Sequence, residues 1–356
     1  MGWPVTGPHA TIREDWLARH VEPVLDPEQP ILDAHHHLWD RPGSRYRCEE
    51  FLADLAKGHN VCASIYVQCR TGYCSDRPET LRSVGEVDTI RRWASAADTS
   101  VYPIKLIAHA DLLLGAEARA QIEALVDAGE GTVCGIRNTT AHHPDPRLVS
   151  NPKPAPAGLL KAETFLKGAA EVAKAGLILD VWAYQTQLDE VFDLATANPD
   201  LTVVIDHLGG PLGAGPYRDN PSAHFAAWRA GVERLAQLPN TRMKIGGFGL
   251  MVMGKDYHLS ETPPSSEKLA DDWAAHVDVC LNAFGANRAM FESNFPVDKG
   301  MFAYPVLWNA FKRLARPLSA DERTAVFHGT ATVTYGIEFP ETKKAIQGGY
   351  GFEAAS

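Results

Sequence analysis

Short apolar runs alternate along the chain with longer segments in which apolar residues recur at helical spacing. Eight runs rich in aliphatic residues predict strands near residues 31–35, 61–67, 102–108, 133–137, 177–182, 202–206, 241–245 and 289–293. Eight further segments predict helices near 49–57, 80–97, 116–128, 161–175, 185–197, 222–238, 267–284 and 305–315. A strand–helix unit repeated eight times predicts a closed parallel (β/α)8 barrel.

The ends of the apolar runs favour this barrel over an open, doubly wound sheet, which shows the same alternation. In a barrel enzyme the chemistry lies where strands end. The residues found there are His35, His37, Gln68, His109, Arg137, Trp182, Tyr184, His207, Lys244 and Asn294. We therefore predict an α/β fold of the TIM-barrel type over residues 31–338, with an N-terminal extension at 1–30 and a C-terminal tail at 339–356.

Three connections are longer than a turn from strand to helix requires. They span residues 70–79, 141–158 and 246–266, and the last two contain several prolines. Long loops at this end of a barrel often cover the active site, although each could also be surface decoration. We expect these loops to roof the mouth of the barrel.

Composition and charge narrow the class of protein. Of the 356 residues 45% are hydrophobic and 22% are charged, which is typical of a globular domain with a large core. A net charge of −10 without a basic cluster argues against a nucleic-acid partner. No apolar run approaches the roughly 20 residues that cross a bilayer, and the first residues do not form a signal peptide. We expect a cytoplasmic protein with a small-molecule substrate; its oligomeric state is left open, a homodimer included.

Asp33, His35 and His37 occupy every second position of the first predicted strand. Side chains at this spacing share a face, which we expect to be the barrel interior. Two adjacent imidazoles can bind a divalent metal ion, or hold a water and a substrate oxygen, and Asp33 could orient them from one layer below. His207 follows the predicted strand 202–206 and precedes a glycine turn, so we expect it at the rim of the sixth strand.

The eighth predicted strand runs into the segment Met-Phe-Glu-Ser-Asn-Phe-Pro-Val-Asp at 290–298. With the histidine motifs, with Ala-His-Ala-Asp at 108–111 and with Gly-Ile-Arg at 135–137, it resembles the amidohydrolase superfamily. The similarity is to the lactonase-like branch that includes 2-pyrone-4,6-dicarboxylate lactonase, L-fuconolactonase and sulfomuconolactonase. It extends from residue 31 to about residue 336.

The resemblance implies that water attacks a lactone or carboxyl-ester carbonyl at the mouth of the barrel. His35, His37 and His207 match the family's histidines, which bind one zinc ion in some members and work without metal in others. The family's strand-eight aspartate, its usual general base, falls on Asn294 here. An amide cannot take a proton from water near neutral pH, so this position departs from the pattern.

Two nearby carboxylates could supply the missing base. Glu292 lies two residues before Asn294 and should face inward with it, whereas Asp298 follows in the loop. We favour Asp298, because a carboxylate at the rim can reach a substrate-bound water. Glu292 lies deeper in the barrel, where a buried ion pair with Lys244 is an equal alternative.

The remaining strand-end residues are predicted to bind substrate. Arg137 and Lys244 could hold a substrate carboxylate or stabilise an oxyanion, and ordinary ion pairing inside the barrel is their alternative role. Trp182 and Tyr184 are predicted pocket walls, with core packing as the alternative. Gln68 and His109 complete the predicted set.

The leading hypothesis is a hydrolase that opens a lactone or related ester carrying a carboxylate, with His35, His37 and His207 organising the carbonyl or a metal-bound water. A metal-dependent decarboxylase of the same superfamily is an alternative, although Asn294 counts against it. A binding protein that lost its catalytic base is another, and Asn294 favours that one.

Overall fold

Eight parallel strands form one sheet whose order follows the chain. The structure is a computed structural model, and it describes residues 9–97 and 105–337. The strands, β1 to β8, are Ile31–His36, Val61–Val67, Lys105–Ala108, Val133–Thr139, Ile178–Trp182, Val203–Ile205, Thr241–Ile245 and Ala289–Phe291. The backbone N–H of Asn294 donates to the carbonyl of His35 at 2.8 Å, and that of His37 to the carbonyl of Phe295 at 2.7 Å. These bonds bring β8 to β1, and the predicted barrel is confirmed.

One helix of eight residues or more follows each strand. These helices, α1 to α8, are Cys48–Leu55, Val84–Ala96, Ala118–Gly129, Glu163–Lys174, Leu188–Ala197, Pro221–Leu235, Ser266–Phe284 and Tyr304–Leu314. All eight fall on the predicted segments. The beginning of the predicted third strand, residues 102–104, lies outside the described residues. No helix among those described is long and apolar enough to span a membrane.

The sequence pattern did not predict the bounds of two short additions to the barrel. An antiparallel hairpin of Trp39–Arg41 and Ser44–Tyr46 stands between β1 and α1. After α8 come the helices Ala320–Thr324 and Thr330–Tyr335, joined by a π-helical turn at Ala325–Gly329. Residues of this last segment join the apolar cluster inside the barrel through Ala331, Tyr335 and Ile337. The predicted tail at 339–356 lies outside the described residues.

The described part of the N-terminal extension packs against the outside of the barrel. Lys312 on α8 is buried, and its Nζ donates to the carbonyls of Leu25 and Asp26 at 2.7 Å each. The amide of Asn309 on the same helix donates to the carbonyl of Pro23 at 2.8 Å. These bonds fix residues 23–26 to α8.

β1 contains one residue more than β2 between two matched positions. Asp33 pairs with Ser64 and His36 pairs with Tyr66, so three steps along β1 face two along β2. This bulge shifts the alternation of inward and outward side chains. The imidazole of His36 accordingly stacks on Phe51 of α1, with ring centroids 4.1 Å apart.

The bulge also separates Asp33 from the histidines it was expected to support. The carboxylate of Asp33 accepts hydrogen bonds from the hydroxyl of Tyr304 on α8 at 3.0 Å and from the backbone N–H of Ser293 at 2.8 Å. Asp33 therefore ties β1 to the end of β8 and to α8. The prediction that it shares the interior face with His35 and His37 is wrong, because strict alternation does not continue through a bulge.

Candidate active site

Three histidines from two strands meet inside the barrel near its carboxyl end. The ring of His35 lies 4.8 Å from that of His37 and 4.6 Å from that of His207, between centroids. All three are buried. The predicted convergence of His207 with two residues at least 170 positions earlier in the chain is therefore present in the fold.

The hydrogen-bond partners of the three imidazoles indicate which nitrogen carries the proton. The Nδ1 of His37 lies 2.7 Å from the carbonyl of Val67, which can only accept. The Nδ1 atoms of His207 and His35 lie 2.6 and 3.0 Å from the two carboxylate oxygens of Glu292. We assign the proton to Nδ1 in each ring on this basis. Each Nε2 then carries an electron pair, as in histidines that bind metal or act as bases. That of His35 accepts a hydrogen bond from Arg137 Nη1 at 3.1 Å.

Side chains near the histidines could together bind a divalent metal ion, but this set of donors differs from the predicted set. His35, Asp206 and His207 each offer one donor atom, and these atoms lie within 4.8 Å of one another. This set has Asp206 where the sequence suggested His37. The Nε2 atoms of His35 and His37 nevertheless lie only 3.1 Å apart, so two electron pairs face each other unless a proton or cation lies between them. Two imidazoles and one carboxylate are ligands typical of zinc.

Buried carboxylates and cations surround the histidines. Lys244 Nζ lies 2.5 Å from Asp180 and 3.2 Å from Asp206, whose other oxygen is 3.4 Å from Arg137 Nη1. The alternative in which Glu292 forms an ion pair with Lys244 is wrong, because Glu292 pairs with His35 and His207. Lys244 is fully buried beneath them and does not line the mouth.

Burial and charge act in opposite directions on the carboxyl groups of this cluster. Burial raises the pKa of Asp180 to about 7, and the nearby Lys244 only partly offsets it. Burial would also raise the pKa of Asp206, but Lys244 and His35 hold it well below its usual range. For Glu292 the neighbouring His207 and His35 outweigh burial and bring its pKa to about 2. Glu292 and Asp206 are therefore negative at neutral pH.

His207 is held in an uncommon backbone conformation. Its φ is 54°, in the left-handed region, and the following Leu208 has a φ of 57°. Glu292 Oε1 accepts the backbone N–H of His207 at 3.1 Å, and Trp228 on α6 donates to the carbonyl of Leu208 at 2.7 Å. Such conformations cost about 1–3 kcal/mol and cluster at functional sites. Gly247 leaves room for the ring, because a Cβ there would lie 2.6 Å from its Cγ.

The end of β8 places an amide at the mouth and a carboxylate behind it. Asn294 has a φ of 54°, and its Nδ2 donates to Asp298 Oδ1 at 2.8 Å. Asp298 Oδ2 accepts the backbone N–H of Gly249 at 2.8 Å. Asp298 is buried, and burial raises its pKa well above the usual range. The expectation of Asp298 as a carboxylate at the rim is wrong.

A cavity of about 380 Å³ opens at the carboxyl ends of the strands, directly above the histidines. The predicted residues that line it are His37, Gln68, Arg137, Trp182, His207 and Asn294. All three long loops contribute, through Arg70, Leu250 and the four residues 150–153, as expected for loops that cover the mouth. A larger cavity of about 650 Å³ between α6 and α7 contains none of the three histidines.

Two aromatic predictions have different outcomes. Trp182 lines the cavity, and its Nε1 donates to Ser150 Oγ at 2.9 Å. Tyr184 lies behind the wall, where its hydroxyl is 2.7 Å from the same Ser150 Oγ. The two rings thus anchor the 141–158 loop. His109 does not line the cavity either, since its Nδ1 is 3.1 Å from the carbonyl of Arg137.

Several residues at the site were missed by sequence reasoning. Asp206 directly precedes His207 at a strand end, so its position was a usable signal. Arg41 and Trp39 belong to the unpredicted hairpin, and Lys153 belongs to a loop. His9 of the N-terminal extension also lines the cavity, 5.6 Å from the Trp39 ring. No local pattern pointed to it.

Comparison with known proteins places this site in a family. A model of the amidohydrolase family matches residues 32–337. The chain belongs to the amidohydrolase family. Among related proteins, the uncharacterised protein y4mH of Sinorhizobium fredii is 30% identical over 331 residues, which cover 86% of this chain and 98% of that protein. The L-fucono-1,5-lactonase of Burkholderia multivorans is 30% identical over 181 residues, which cover 49% of this chain and 57% of that enzyme.

Solved amidohydrolase structures share the fold. An amidohydrolase from Burkholderia multivorans with bound zinc superposes with a TM-score of 0.66, at 22% identity over 86% of this chain and 99% of that one. A probable 2-pyrone-4,6-dicarboxylic acid hydrolase from Acinetobacter baumannii, with citric acid bound, gives 0.57 at 15% identity over 86% and 99%. The 5-carboxyvanillate decarboxylase of Sphingomonas paucimobilis gives 0.51 at 12% over 87% and 100%. These identities support the fold alone.

Proposed function

We propose that this amidohydrolase hydrolyses a lactone or a related carboxyl ester that carries a carboxylate. The observation that carries the proposal is the pairing of His207 with Glu292. The carboxylate lies 2.6 Å from Nδ1 of the imidazole, which leaves Nε2 of a cavity-lining ring free to accept a proton. This is the arrangement of a general base held by a buried carboxylate.

In this proposal the general base is His207 and not Asp298 or Glu292, the two carboxylates that the sequence suggested. Asp298 is buried, and both of its oxygens accept hydrogen bonds from Gly249 and Asn294. Glu292 does not line the cavity, and its low pKa makes it a weak base. Behind His207, however, Glu292 fixes the ring and stabilises the imidazolium that forms when the base takes a proton.

The proposed reaction needs only groups at the mouth. The Nε2 of His207 takes one proton from water while the water oxygen bonds to the ester carbonyl carbon. The carbonyl electron pair moves onto its oxygen, where an N–H of Arg137 stabilises the negative charge. The bond from the carbonyl carbon to the ring oxygen then breaks, and the imidazolium returns its proton to that oxygen. A lactone leaves as a hydroxy acid.

The charge of the cavity favours an anionic substrate. Among the described residues that line it are the cations Arg41, Arg70, Arg137 and Lys153 and no aspartate or glutamate, although the whole chain carries a net charge of −10. A concave site of one sign concentrates ligands of the opposite sign and steers their approach. Arginine forks also match carboxylate geometry.

His35, Asp206 and His207 would hold a divalent metal ion if one is bound, with zinc as the best match to these donors. Such an ion would polarise a carbonyl oxygen or lower the pKa of water. An ion bound to Nε2 of His207 would leave that ring no electron pair for the proton of water, so the reaction above applies to the site without an ion. Arg137 would still face the substrate in either case, and Glu292 would still orient the two histidines.

The names of two relatives support the proposed type of reaction. One is named an L-fucono-1,5-lactonase, and one structural neighbour is named a probable 2-pyrone-4,6-dicarboxylic acid hydrolase. Both names describe ring-opening at a cyclic ester. Neither substrate is assigned to this chain. The two names suggest one neutral and one anionic lactone as the first substrates to test.

A lactone panel tests the proposal. Purified protein is given L-fucono-1,5-lactone, 2-pyrone-4,6-dicarboxylate and further carboxylated lactones, and ring-opening is followed by proton release. We expect turnover of a carboxylated lactone and a loss of at least about a hundredfold in His207→Ala. His224→Ala, which changes a histidine outside the cavity, is the matched control and should retain activity. If no lactone is opened, or if His207→Ala is fully active, the proposal is wrong.

The same panel addresses decarboxylation, because decarboxylases share the fold. Aromatic carboxylates are included and the release of carbon dioxide is measured. Carbon dioxide without ring-opening would replace the hydrolase proposal by the decarboxylase alternative.

A further inference from the structure

We infer that the amide oxygen of Asn294 accepts a hydrogen bond from the attacking water, and that Asp298 is the positioning residue that fixes this orientation. The inference rests on the proposed hydrolysis. Its basis is the hydrogen-bonded chain from the Asn294 amide through the Asp298 carboxylate to the backbone N–H of Gly249, with both links at 2.8 Å.

The chain determines which end of the amide faces the cavity. Asp298 Oδ2 accepts the backbone N–H of Gly249, and its Oδ1 accepts from Nδ2 of Asn294, so the part of the Asn294 side chain next to Asp298 is the NH2 group. Asp298 itself cannot turn away, because it is buried and packed against Gly249, where an added Cβ would lie 2.8 Å from its Cα, Cβ and Cγ. The Asn294 side chain lines the cavity, and its carbonyl oxygen is the atom left to face it.

The backbone around Asn294 is equally constrained. Its φ of 54° is a conformation that asparagine tolerates better than most residues, and its N–H is bound to the carbonyl of His35 at 2.8 Å. Asn294 is thereby fixed to the strand that carries His35 and His37. The acceptor and the proposed base line the same cavity from β8 and β6.

An acceptor at this position complements His207 in the proposed reaction. His207 takes one proton of the water, while the second proton stays on the oxygen that forms the new bond. A hydrogen bond from that second proton to the Asn294 oxygen orients the water's electron pair toward the carbonyl carbon. An amide oxygen does not become protonated near neutral pH, so it orients the water without competing with His207 for the proton.

Exchanging the two side chains tests this role. In Asp298→Asn only one side-chain oxygen remains to accept, whereas both the N–H of Gly249 and the NH2 group of Asn294 donate to this side chain in the wild type. If the N–H of Gly249 keeps that acceptor, the new NH2 group faces Asn294, whose amide must turn and present NH2 to the cavity. The double variant Asn294→Asp with Asp298→Asn restores an acceptor there, because a carboxylate at 294 can take the new NH2 group and still face the cavity with its other oxygen.

We expect Asp298→Asn to lower kcat by about tenfold or more with little change in KM, and the double variant to recover most of that loss. The double variant should also keep the wild-type pH profile of kcat/KM, because an aspartate at 294 that replaced His207 as the base would move the acidic limb to lower pH. A double variant no better than the single one, or one with a moved limb, would count against the inference. Equal kcat values for the wild type and Asp298→Asn would overturn the inference. Absence of turnover by the wild type would instead count against the hydrolase proposal itself.

Neutron diffraction on deuterated crystals tests the orientation without any turnover, since it distinguishes the amide nitrogen from the oxygen. The deuterons of Asn294 should point to Asp298 in the wild type and into the cavity in Asp298→Asn. Deuterons pointing into the cavity in the wild type would overturn the inference even if a lactone is hydrolysed.

Discussion

The Nδ1 atom of His207 and the Oε1 atom of Glu292 lie 2.6 Å apart inside the barrel, and the other oxygen of Glu292 is 3.0 Å from Nδ1 of His35. One carboxylate thus orients two imidazoles that lie 172 positions apart in the chain. Because Glu292 is fully buried, little solvent screens these contacts. Its negative charge therefore acts on both rings at short range.

Glu292→Gln should remove that charge with little change in shape. We expect kcat to fall on the order of a thousandfold, because an amide does not stabilise the imidazolium. Any residual activity should have its acidic limb at lower pH, since the pKa of an imidazole falls without a negative partner. The pH profile of kcat/KM measures both effects. Glu171→Gln, which changes a buried glutamate on α4, is the control, and an unchanged profile in Glu292→Gln would contradict the assignment.

Gly247→Ala should inactivate the enzyme by displacing His207. Gly247 has a φ of +69°, and an added Cβ would lie 2.6 Å from the His207 ring. Gly176 has the same φ but no atom within 4 Å of the added Cβ, so Gly176→Ala reports the backbone strain alone. Gly176→Ala should lose about 1–2 kcal/mol in denaturant unfolding and Gly247→Ala at least as much, but only Gly247→Ala should lose most of its activity. Equal activities would show that the close approach is unimportant.

Lys153→Gln should weaken the binding of anionic substrates only. Lys153 is an exposed cation in the loop that Trp182 and Tyr184 anchor through Ser150. We expect KM for a carboxylated lactone to rise several-fold at low salt, and the difference to shrink at about 1 M salt, where screening is strong. KM for a neutral lactone should not change. Lys167→Gln on α4 is the exposed control, and a salt-independent effect would contradict an electrostatic role.

Lys244→Met should strongly destabilise the fold. It would leave Asp180 and Asp206 buried without their cation, which typically costs about 3–5 kcal/mol. The free energy of unfolding in urea measures the loss. Lys174→Met removes a surface pair with Glu171 and should cost less than about 1 kcal/mol. A small effect at Lys244 would show that the two aspartates are compensated in another way.

Zinc ions should stabilise the protein through the donor set described above. Zinc at a hundredfold excess over its dissociation constant adds about 2.7 kcal/mol to the stability of the folded state, so the melting temperature of metal-stripped protein should rise. His35→Ala removes one donor and should abolish most of that rise, whereas His224→Ala should not. The same zinc-induced shift in all three proteins would place the ion elsewhere.

The fold was predictable because it depends on patterns that are local in the chain. Eight apolar runs, each followed by a segment of helical spacing, specify strand–helix units, and a parallel sheet of eight such units closes into a barrel. His35, His37, Arg137 and His207 were found because they stand at strand ends, where their exact partners are not needed to locate them.

The partners themselves could not be read from the chain. Whether Lys244 faces Glu292 or Asp180 depends on how neighbouring strands are staggered around the barrel, which periodicity does not specify. Asp33 was misplaced because a bulge has no signature in an otherwise alternating segment. His9 and Lys153 reach the cavity from segments outside the strands, and their positions follow from tertiary contacts alone.

The extra residue in β1 makes the site sensitive to chain length at one point. Between Asp33 and His36, β1 contains one residue more than β2. This extra residue determines which imidazoles face the barrel axis. Deleting a single residue there would send His36 inward and remove His35 from its carboxylate without altering any side chain elsewhere. The site could thus be inactivated by shortening β1 by one residue, without replacing any of its histidines or carboxylates.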